Sequence, residues 1–547
     1  MKFDELYEEI GEFGTYQKIV VNLGCFTSFY AGITFLTSFF VLAIPEHRCA
    51  IEHLHNDTYG IQDIYHEALV NASIPLSDSA EHKYDQCHIF KTSEDGKLSK
   101  VKCSRWVYDD SIYKSTLGAE LNMVCDQAIL KSNAQMSFFG GLVVGSFILG
   151  MMSDKYGRKR TLCISSIFYF LAALGTAWAS NFIVLFILTF CVGFFSVGNF
   201  MSSFVLGMEF VGPSKRRFAG TLGGFYWTAG TLTLSGLGYA IRDWKTLQIV
   251  CAAPGLIFQV YWIIYPESPR WLYINGRHEE ARVILEKVAR SNDKILPEKM
   301  FESVEMDGEE NAKEEKLWHL FTSRVLCIRT LILFFLWLAI CMAYYGMALN
   351  SADLGGDVFL DFFLQAVMDI PAKILVVILL NRTGRKFLMV TSMLIGGAGF
   401  LATIFTEYYG GDDLHTLNTA FALVGKFGAA AAYPVVYVFS AELFPTVARN
   451  AGMGASSCVS RVGGMAATYI ADLDRFIDNK FGKTLPMIVF GSFCFVGGLL
   501  AFFLPETLNK PLPETIEEGE HFGRNDEVKV TDNTASANAT GKYSTKL

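Results

Sequence analysis

The sequence predicts an all-α membrane protein of twelve transmembrane helices, arranged as two six-helix halves. Three observations predict it. The 547-residue chain is 51% hydrophobic and only 18% charged, where a soluble chain of this length carries about a quarter charged. Its apolar residues are gathered into runs such as 20–44, 137–152 and 328–349, and about 20 apolar residues in a helix cross the hydrocarbon core. The two halves of the chain also repeat the same polar motifs at matching places.

Twelve hydrophobic segments can be counted, at 20–44, 134–152, 161–179, 182–206, 219–240, 247–265, 327–349, 358–380, 387–406, 415–440, 450–471 and 484–504. They divide the chain into an N-terminus (1–19), a first half (20–265) containing a large polar loop (45–133), a central loop (266–326), a second half (327–504) and a tail (505–547). The central loop holds a helical-looking Glu279–Arg290 and an acidic run at Glu305–Glu315. The tail is polar and low in aromatics, which predicts disorder beyond Glu518. The first 18 residues contain Asp4, Glu5, Glu8 and Glu9, the wrong charge for a cleaved signal peptide. The first apolar segment therefore reads as a membrane helix and its own insertion signal.

Lys and Arg in short loops set orientation. Lys155, Arg158, Lys159 and Arg160 follow segment 2; Lys215, Arg216 and Arg217 follow segment 4; Arg382, Arg385 and Lys386 follow segment 8. The loops 3–4, 7–8 and 9–10 carry none. Even-numbered ends and both termini are thus expected in the cytoplasm, and loop 45–133 outside. That loop holds Cys49, Cys87, Cys103 and Cys125 together with two sequons, Asn56-Asp57-Thr58 and Asn71-Ala72-Ser73. Four cysteines in one polar loop suggest two disulfides, with three connectivities open. The sequons make Asn56 and Asn71 candidate glycosylation sites and favour an extracytoplasmic loop.

The repeat is the strongest signal. Asp154-Lys155-Tyr156-Gly157-Arg158-Lys159 after segment 2 matches Asn381-Arg382-Thr383-Gly384-Arg385-Lys386 after segment 8. Glu209 precedes Arg216, and Glu442 precedes Arg449, by seven residues in each case. Pro266-Glu267-Ser268 matches Pro505-Glu506-Thr507. A six-plus-six duplication with parallel halves is a transporter architecture, with substrate bound between the halves near the midplane. Asp154, Arg158, Lys159, Glu209, Arg216, Glu442 and Arg449 are candidate gate residues, able to pair across the halves when the cytoplasmic side is closed. The competing reading is that these cations only set topology. No phosphate loop, metal-spaced His or Cys cluster or nucleophile elbow points to an enzyme, and no clustered basic face points to nucleic acid. No cofactor or metal is expected.

At these motifs the chain resembles the major facilitator superfamily. More narrowly, it is similar to the organic cation, anion and zwitterion (carnitine-type) transporter family. The likeness is carried by Phe3-Asp4-Glu5, Gly11-Glu12-Phe13-Gly14, Glu120-Leu121-Asn122-Met123-Val124-Cys125, Arg242-Asp243-Trp244, Glu267-Ser268-Pro269-Arg270-Trp271-Leu272 and Ala441-Glu442-Leu443-Phe444-Pro445-Thr446. The stretch Tyr345–Asp361 and the ending Leu504-Pro505-Glu506-Thr507 look like the carnitine-type branch. Tyr344-Tyr345-Gly346 and Asp369-Ile370-Pro371-Ala372-Lys373 look like the anion branch. The cation branch has an acid where this chain has Arg461. The resemblance implies the major facilitator fold in a multi-pass plasma-membrane protein. Its partners would be a small organic ion, the lipid bilayer and a coupling ion or counter-substrate.

Arg461 lies midway along segment 11 with no acid three or four residues away. A central Arg costs about 2.5–3.5 kcal/mol on insertion scales, so it reads either as a cation that meets a carboxylate or as half of an interhelical pair. Lys373 matches a Lys of the anion branch. Asp369, one turn earlier, can neutralise it, and it can also snorkel. Lys426 in segment 10 is ambiguous, and Asp472 and Asp474 read as solvated. Tyr344, Tyr345, Tyr433, Tyr437, Phe200, Phe204, Tyr226 and Trp227 stand where the family lines its central cavity. Rings suit amphipathic ions, although aromatic residues also simply pack helices. The expected function is alternating-access transport of organic anions or zwitterions. The alternatives are an organic cation or carnitine-like carrier, perhaps sodium-coupled, and a channel or receptor on the same fold.

Overall fold

The computed structural model describes residues 3–523, apart from 53, 55, 78–82, 93–97, 297–316, 352–355, 410–413 and 474–479. The acidic run Glu305–Glu315, Asp474 and the tail beyond 523 lie outside the described residues. The first half contains α1 (Thr15–Thr34, resuming at Thr37–Val41), α2 (Ile129–Tyr156), α3 (Arg158–Gly175), α4 (Phe182–Glu209), α5 (Arg216–Ala240) and α6 (Trp244–Ala252, continued by a 3₁₀ stretch Ala253–Val260 and by Tyr261–Ile264). The second contains α7 (Arg324–Leu349), α8 (Val358–Leu379), α9 (Arg385–Tyr409), α10 (His415–Leu443), α11 (Arg449–Ala471) and α12 (Lys480–Ala501). Several helices run past the apolar segments that announce them. α2 starts five residues before 134, so the polar loop is shorter than 45–133.

Among the described residues, ten of these helices are long and apolar enough to cross a membrane by length and composition; α5 and α11 are not apolar enough. The packing explains the exception. The two halves meet chiefly where α5 packs on α8 and α11 on α2. These pairs are equivalent under the repeat. A helix facing protein rather than lipid needs small residues for close approach more than it needs apolarity. α5 and α11 are accordingly rich in Gly, Ala, Ser and Thr.

Two faces can be distinguished by content. The cap face carries the disulfide-bonded loop. The basic face carries the Gly-Arg-Lys turns, in which Gly157 (φ +105°) and Gly384 (φ +95°) take a backbone conformation that side chains oppose. The cap is a small unit of two antiparallel pairs, His47–Cys49 with Trp106–Tyr108 and His88–Thr92 with Leu98–Lys102, beside a helix at Ile64–Ser73. Of the three open connectivities, the structure has Cys49–Cys103 and Cys87–Cys125, each with Cα atoms 5.7 Å apart. Asp57 accepts from Arg48 at 2.5 Å and from Ile51 N–H at 2.7 Å. Burial would raise its carboxyl, but these bonds hold it below the usual range.

The first and last described helices dock on the bundle. The helix Phe3–Ile10 buries Phe3, Leu6, Tyr7 and Ile10, and the Tyr7 hydroxyl donates to the Glu209 carbonyl at 3.0 Å. Helix Glu279–Arg290 is observed as His278–Ser291. The disorder expected beyond Glu518 does not begin there. The short helix Ile516–His521 ends against α7, and Arg329 donates to the carbonyls of Gly519 and Phe522 at 2.8 and 2.7 Å. A guanidinium satisfies carbonyls left open at a helix C-terminus, which orders residues 519–523.

Candidate functional site

The chain brings four charged side chains to mid-depth, all from the second half. Proline inside α8 (Pro371) and α10 (Pro434) interrupts the backbone ladder near them. Asp369, one turn before Lys373 on α8, accepts from its ammonium at 3.4 Å and from the Tyr344 hydroxyl at 2.6 Å. Its other oxygen, Oδ1, is buried without a partner among the described residues. Lys373 also crosses to α5, donating to the Gly224 carbonyl at 2.9 Å and to Thr228 Oγ1 at 2.5 Å. It does not snorkel; it ties the halves together.

Lys426 belongs to this cluster, which sequence reasoning left open. Its ammonium lies 3.4 Å from the Tyr344 ring centroid and donates to the Tyr344 carbonyl at 3.0 Å. The available signal was a lone Lys in an apolar run, which in a membrane marks function by default. Arg461 donates to the carbonyl of Ser457 at 2.8 Å and to its hydroxyl. It lies near Tyr345, Tyr433 and Tyr437. Among the described residues it has no ion pair.

The aromatic expectations divide. Tyr344 lies against Tyr345 at 5.3 Å and Tyr433 at 5.4 Å, Tyr433 lies 6.0 Å from Tyr437, and the Trp227 indole N–H donates to the Tyr344 hydroxyl at 3.2 Å. These five rings form one wall around the charges. Phe200 and Phe204 stack on each other at 6.3 Å along α4, and Tyr226 donates to Asn22 on α1 at 2.8 Å. Tyr226 and Trp227 are neighbours about 100° apart on a helix, so one faces the second half and the other faces α1. Two rings that the sequence gave no reason to choose join the wall. Phe35 lies 5.1 Å from Trp227, and Phe139 lies 5.4 Å from Tyr345.

The ion pairs seen among the gate candidates lie within each half. Arg158 reaches Asp154 at 3.0 Å and Glu209 at 3.4 Å, all in the first half. Arg385, which was not singled out beforehand, grips Glu442 with two bonds of 2.9 and 3.0 Å. Arg216 and Arg449 do not meet the glutamates seven residues before them. They donate to the Val211 carbonyl and to Thr446 Oγ1, each at 3.2 Å. Seven residues separate each Glu–Arg pair, and the turn between helices carries the Arg past its own Glu. Among the described residues, no ion pair on this face joins Asp154, Arg158, Glu209 or Glu442 across the halves. Lys159 contributes its backbone N–H, which donates to Glu267 at 3.1 Å, as Lys386 N–H does to Glu506 at 3.0 Å.

The halves are joined instead at the cap face. Lys131 pairs with Asp472 at 2.7 Å, Ser132 donates to the same carboxylate at 2.6 Å, and Tyr469 donates to Asn133 at 2.7 Å. Phe39 stacks on Phe362 at 5.1 Å and Phe40 on Phe359 at 5.7 Å. Asp472, expected to be solvated, is buried because Lys131 neutralises it.

Two six-helix halves repeated in parallel, sealed at one face and holding charges and rings between them, define a multi-pass membrane transporter. Residues 58–518 match the profile described as sugar (and other) transporter. The chain is 35% identical to the organic cation transporter protein of Drosophila melanogaster, covering 96% of this chain and 95% of that one. It is 34% identical to organic cation/carnitine transporter 2 of Homo sapiens (94% and 93% covered) and 33% identical to human solute carrier family 22 member 13 (94% and 93%). The chain belongs to the major facilitator superfamily, in the organic cation, anion and zwitterion (carnitine-type) transporter family. The partially occluded inward-open conformation of the xylose transporter XylE from E. coli matches it with a TM-score of 0.61 over 91% of this chain and 100% of that one. At 16% identity, that likeness is one of fold.

Proposed function

We propose that the chain is a plasma-membrane carrier of small organic ions that bear a carboxylate, zwitterions above all, moved by alternating access. One observation carries the reading: three cations, Lys373, Lys426 and Arg461, stand with a single carboxylate, Asp369, around the ring wall. The uncompensated positive charge favours a carboxylate, and Arg461 can grip it with two parallel N–H donors. A quaternary or protonated amine on the same solute is served by the tyrosine faces and by Asp369 Oδ1. The names of two relatives, organic cation transporter and organic cation/carnitine transporter, fit a solute with a cationic end.

In this reading the cap face is extracellular, and the basic face and both termini are cytoplasmic. The positive-inside bias, two disulfides and two sequons support it. Transport opens the Lys131–Asp472 seal while the two halves close at the basic face, where Asp154, Arg158, Lys159, Glu209, Arg216, Glu442 and Arg449 stand. A coupling ion or counter-substrate completes the cycle.

The second reading is a carrier of organic cations, favoured by the unpartnered Asp369 oxygen. A channel or receptor has no observation in its favour. The deciding experiment is uptake by expressing cells of labelled anions, cations and zwitterions, with counterflow for each hit. Saturable zwitterion uptake with counterflow is expected. Cation uptake without zwitterion uptake favours the second reading, and non-saturating electrogenic flux favours a channel. Glycosidase should shift the mature band, and the double substitution Asn56→Gln and Asn71→Gln should abolish the shift. An unshifted wild-type band would overturn the orientation.

A further inference from the structure

A cavity of about 60 Å³ lies inside the first half toward the cap face, with Tyr345 of α7 as one wall. Three observations coincide there. The helix α1 is broken between Thr34 and Thr37, and the residues of the break line the cavity. Irregular backbone at membrane depth is tolerated where it is buried in protein or lines a cavity, and interrupted helices mark binding sites in this class of architecture. Gln135 on α2 lines the same space and is 5% exposed, and it is one of only two amide side chains in the lining, with Gln248. An amide that lines a cavity offers both a donor and an acceptor to a small polar group inside it. Finally, Tyr345 belongs both to this cavity and to the ring wall around the charges.

The lining fixes the chemistry of an occupant. It contains no Asp, Glu, Lys or Arg, and rings and aliphatic groups such as Phe35, Phe138, Leu185 and Val192 dominate it. The hydroxyls of Thr37, Thr176 and Thr189 already donate to backbone carbonyls, which leaves them as acceptors. At about 10–15 Å³ for each water-sized atom, the space holds about four to six non-hydrogen atoms. A charged group would be desolvated here without an opposite charge.

We propose that this cavity is a tail subsite: it takes the uncharged, mainly apolar end of a solute whose charged head lies at the Lys373–Asp369–Lys426 cluster, and Gln135 hydrogen-bonds a neutral polar group on that tail. The inference rests on the carboxylate-solute reading above. It adds that the first half selects for tail length and tail polarity, while the second half selects for charge. Because Tyr345 and Leu349 close the cavity from α7, a tail bound there also favours the conformation sealed at the cap face.

The test is uptake of a homologous series: a quaternary-ammonium carboxylate with no tail, with amide-linked tails of two, four and six carbons, and with a plain alkyl tail of four. Each tail is scored as a ratio to the tailless compound in the same cells, which cancels surface amount. Wild type is expected to favour short tails and to fall off beyond about six atoms. Val192→Phe fills the cavity and should lower the ratio for the four-carbon amide tail at least tenfold. If that variant does not reach the surface, Ala134→Val supplies a smaller filling and a smaller drop. Gln135→Leu should abolish the preference for the amide-linked over the plain alkyl tail, a change of about tenfold. Unchanged ratios in both the filled variant and Gln135→Leu overturn the subsite and leave the carboxylate-solute reading standing. Failure of wild type to take up any compound of the series overturns that reading, and the subsite with it.

Discussion

The two halves are built from the same motifs and spend them differently. On the basic face, Arg385 closes on Glu442 with two short bonds, and Thr507 adds a third to the same carboxylate at 2.6 Å. The equivalent Arg158 is divided between Glu209 and Asp154, and Glu209 Oε2 is buried without a partner among the described residues. One residue explains the contrast: the first half has Asp154 where the second has Asn381. An exposed acid draws the guanidinium part-way out in the first half, and no acid competes at that place in the second. At mid-depth the asymmetry is larger. Asp369, Lys373, Lys426 and Arg461 all come from the second half, and the first half answers with Gly224, Thr228 and Trp227, which are neutral. A duplicated scaffold thus keeps its Gly-Arg-Lys turns in both copies and concentrates its buried mid-depth charge in one.

Removing charge from the second half tests this most strongly. Arg461→Asp reverses the field beside the ring wall and should lower uptake of carboxylate solutes about 100-fold, the scale of losing a buried charge-assisted pair. Arg461→Lys keeps the charge but loses the planar grip and should cost about tenfold. Initial uptake normalised to surface protein measures both. Carboxylate uptake left intact by Arg461→Asp would make this Arg structural.

Next in size is the difference between the two glutamates. Arg385 is 3% exposed, so Glu442→Gln leaves a buried guanidinium short of its counter-charge and should cost about 3 kcal/mol. Glu209→Gln removes a longer contact, and Arg158 keeps Asp154; the cost should be about 1 kcal/mol or less. Thermal unfolding of the two purified variants should therefore separate clearly. Equal shifts would remove the asymmetry between the halves.

The paired glutamates after α6 and α12 differ in proton affinity. Burial raises Glu267 above its ordinary 4.5 and outweighs the N–H groups of Lys159, Ser268 and Arg158. Burial also pushes Glu506 upward, but the N–H groups of Leu508, Arg385, Thr507 and Lys386 overcome it and hold the carboxyl below 4.5. A depressed carboxyl stabilises the fold above its unfolded value, and that stability is lost as pH falls through the folded value. A raised carboxyl stabilises at low pH, and that contribution is lost as pH rises through the folded value. Glu506→Gln should therefore flatten the loss of stability below about pH 4.5, whereas Glu267→Gln should steepen the net loss on acidification. Melting temperature against pH for the three proteins checks the sign.

The smallest effect sharpens the comparison directly. Asp154→Asn gives the first half the residue of the second and frees Arg158 for Glu209. Asp154 is 79% exposed, so stability should change little, but Glu209→Gln should become more costly in that background than alone. A double-mutant cycle with no coupling would mean that Asp154 does not set the difference.

The sequence by itself determined the twelve segments, the duplication and the cysteine loop. Each depends on composition or on motif spacing, which survive without knowledge of contacts. It also identified the Asp369–Lys373 pair, because one helical turn is a local distance, and it singled out Arg461 because a lone cation in an apolar run needs no neighbour to be conspicuous. Everything that depends on which helix faces which was decided by the tertiary structure. The glutamates of the repeat look to Arg158 and Arg385 rather than to the arginines seven residues on, because a turn between helices breaks the helical register. Tyr226 and Trp227 part company because neighbours on one helix point about 100° apart, facing α1 and α7 although they are adjacent in sequence. Lys426 was conspicuous as a lone cation in an apolar run, but its place beside Tyr344 was not, and Asp472 and Gln135 had no local signal at all. Their partner or cavity lies on another helix, and burial against a remote segment is a property of packing that no window of sequence contains.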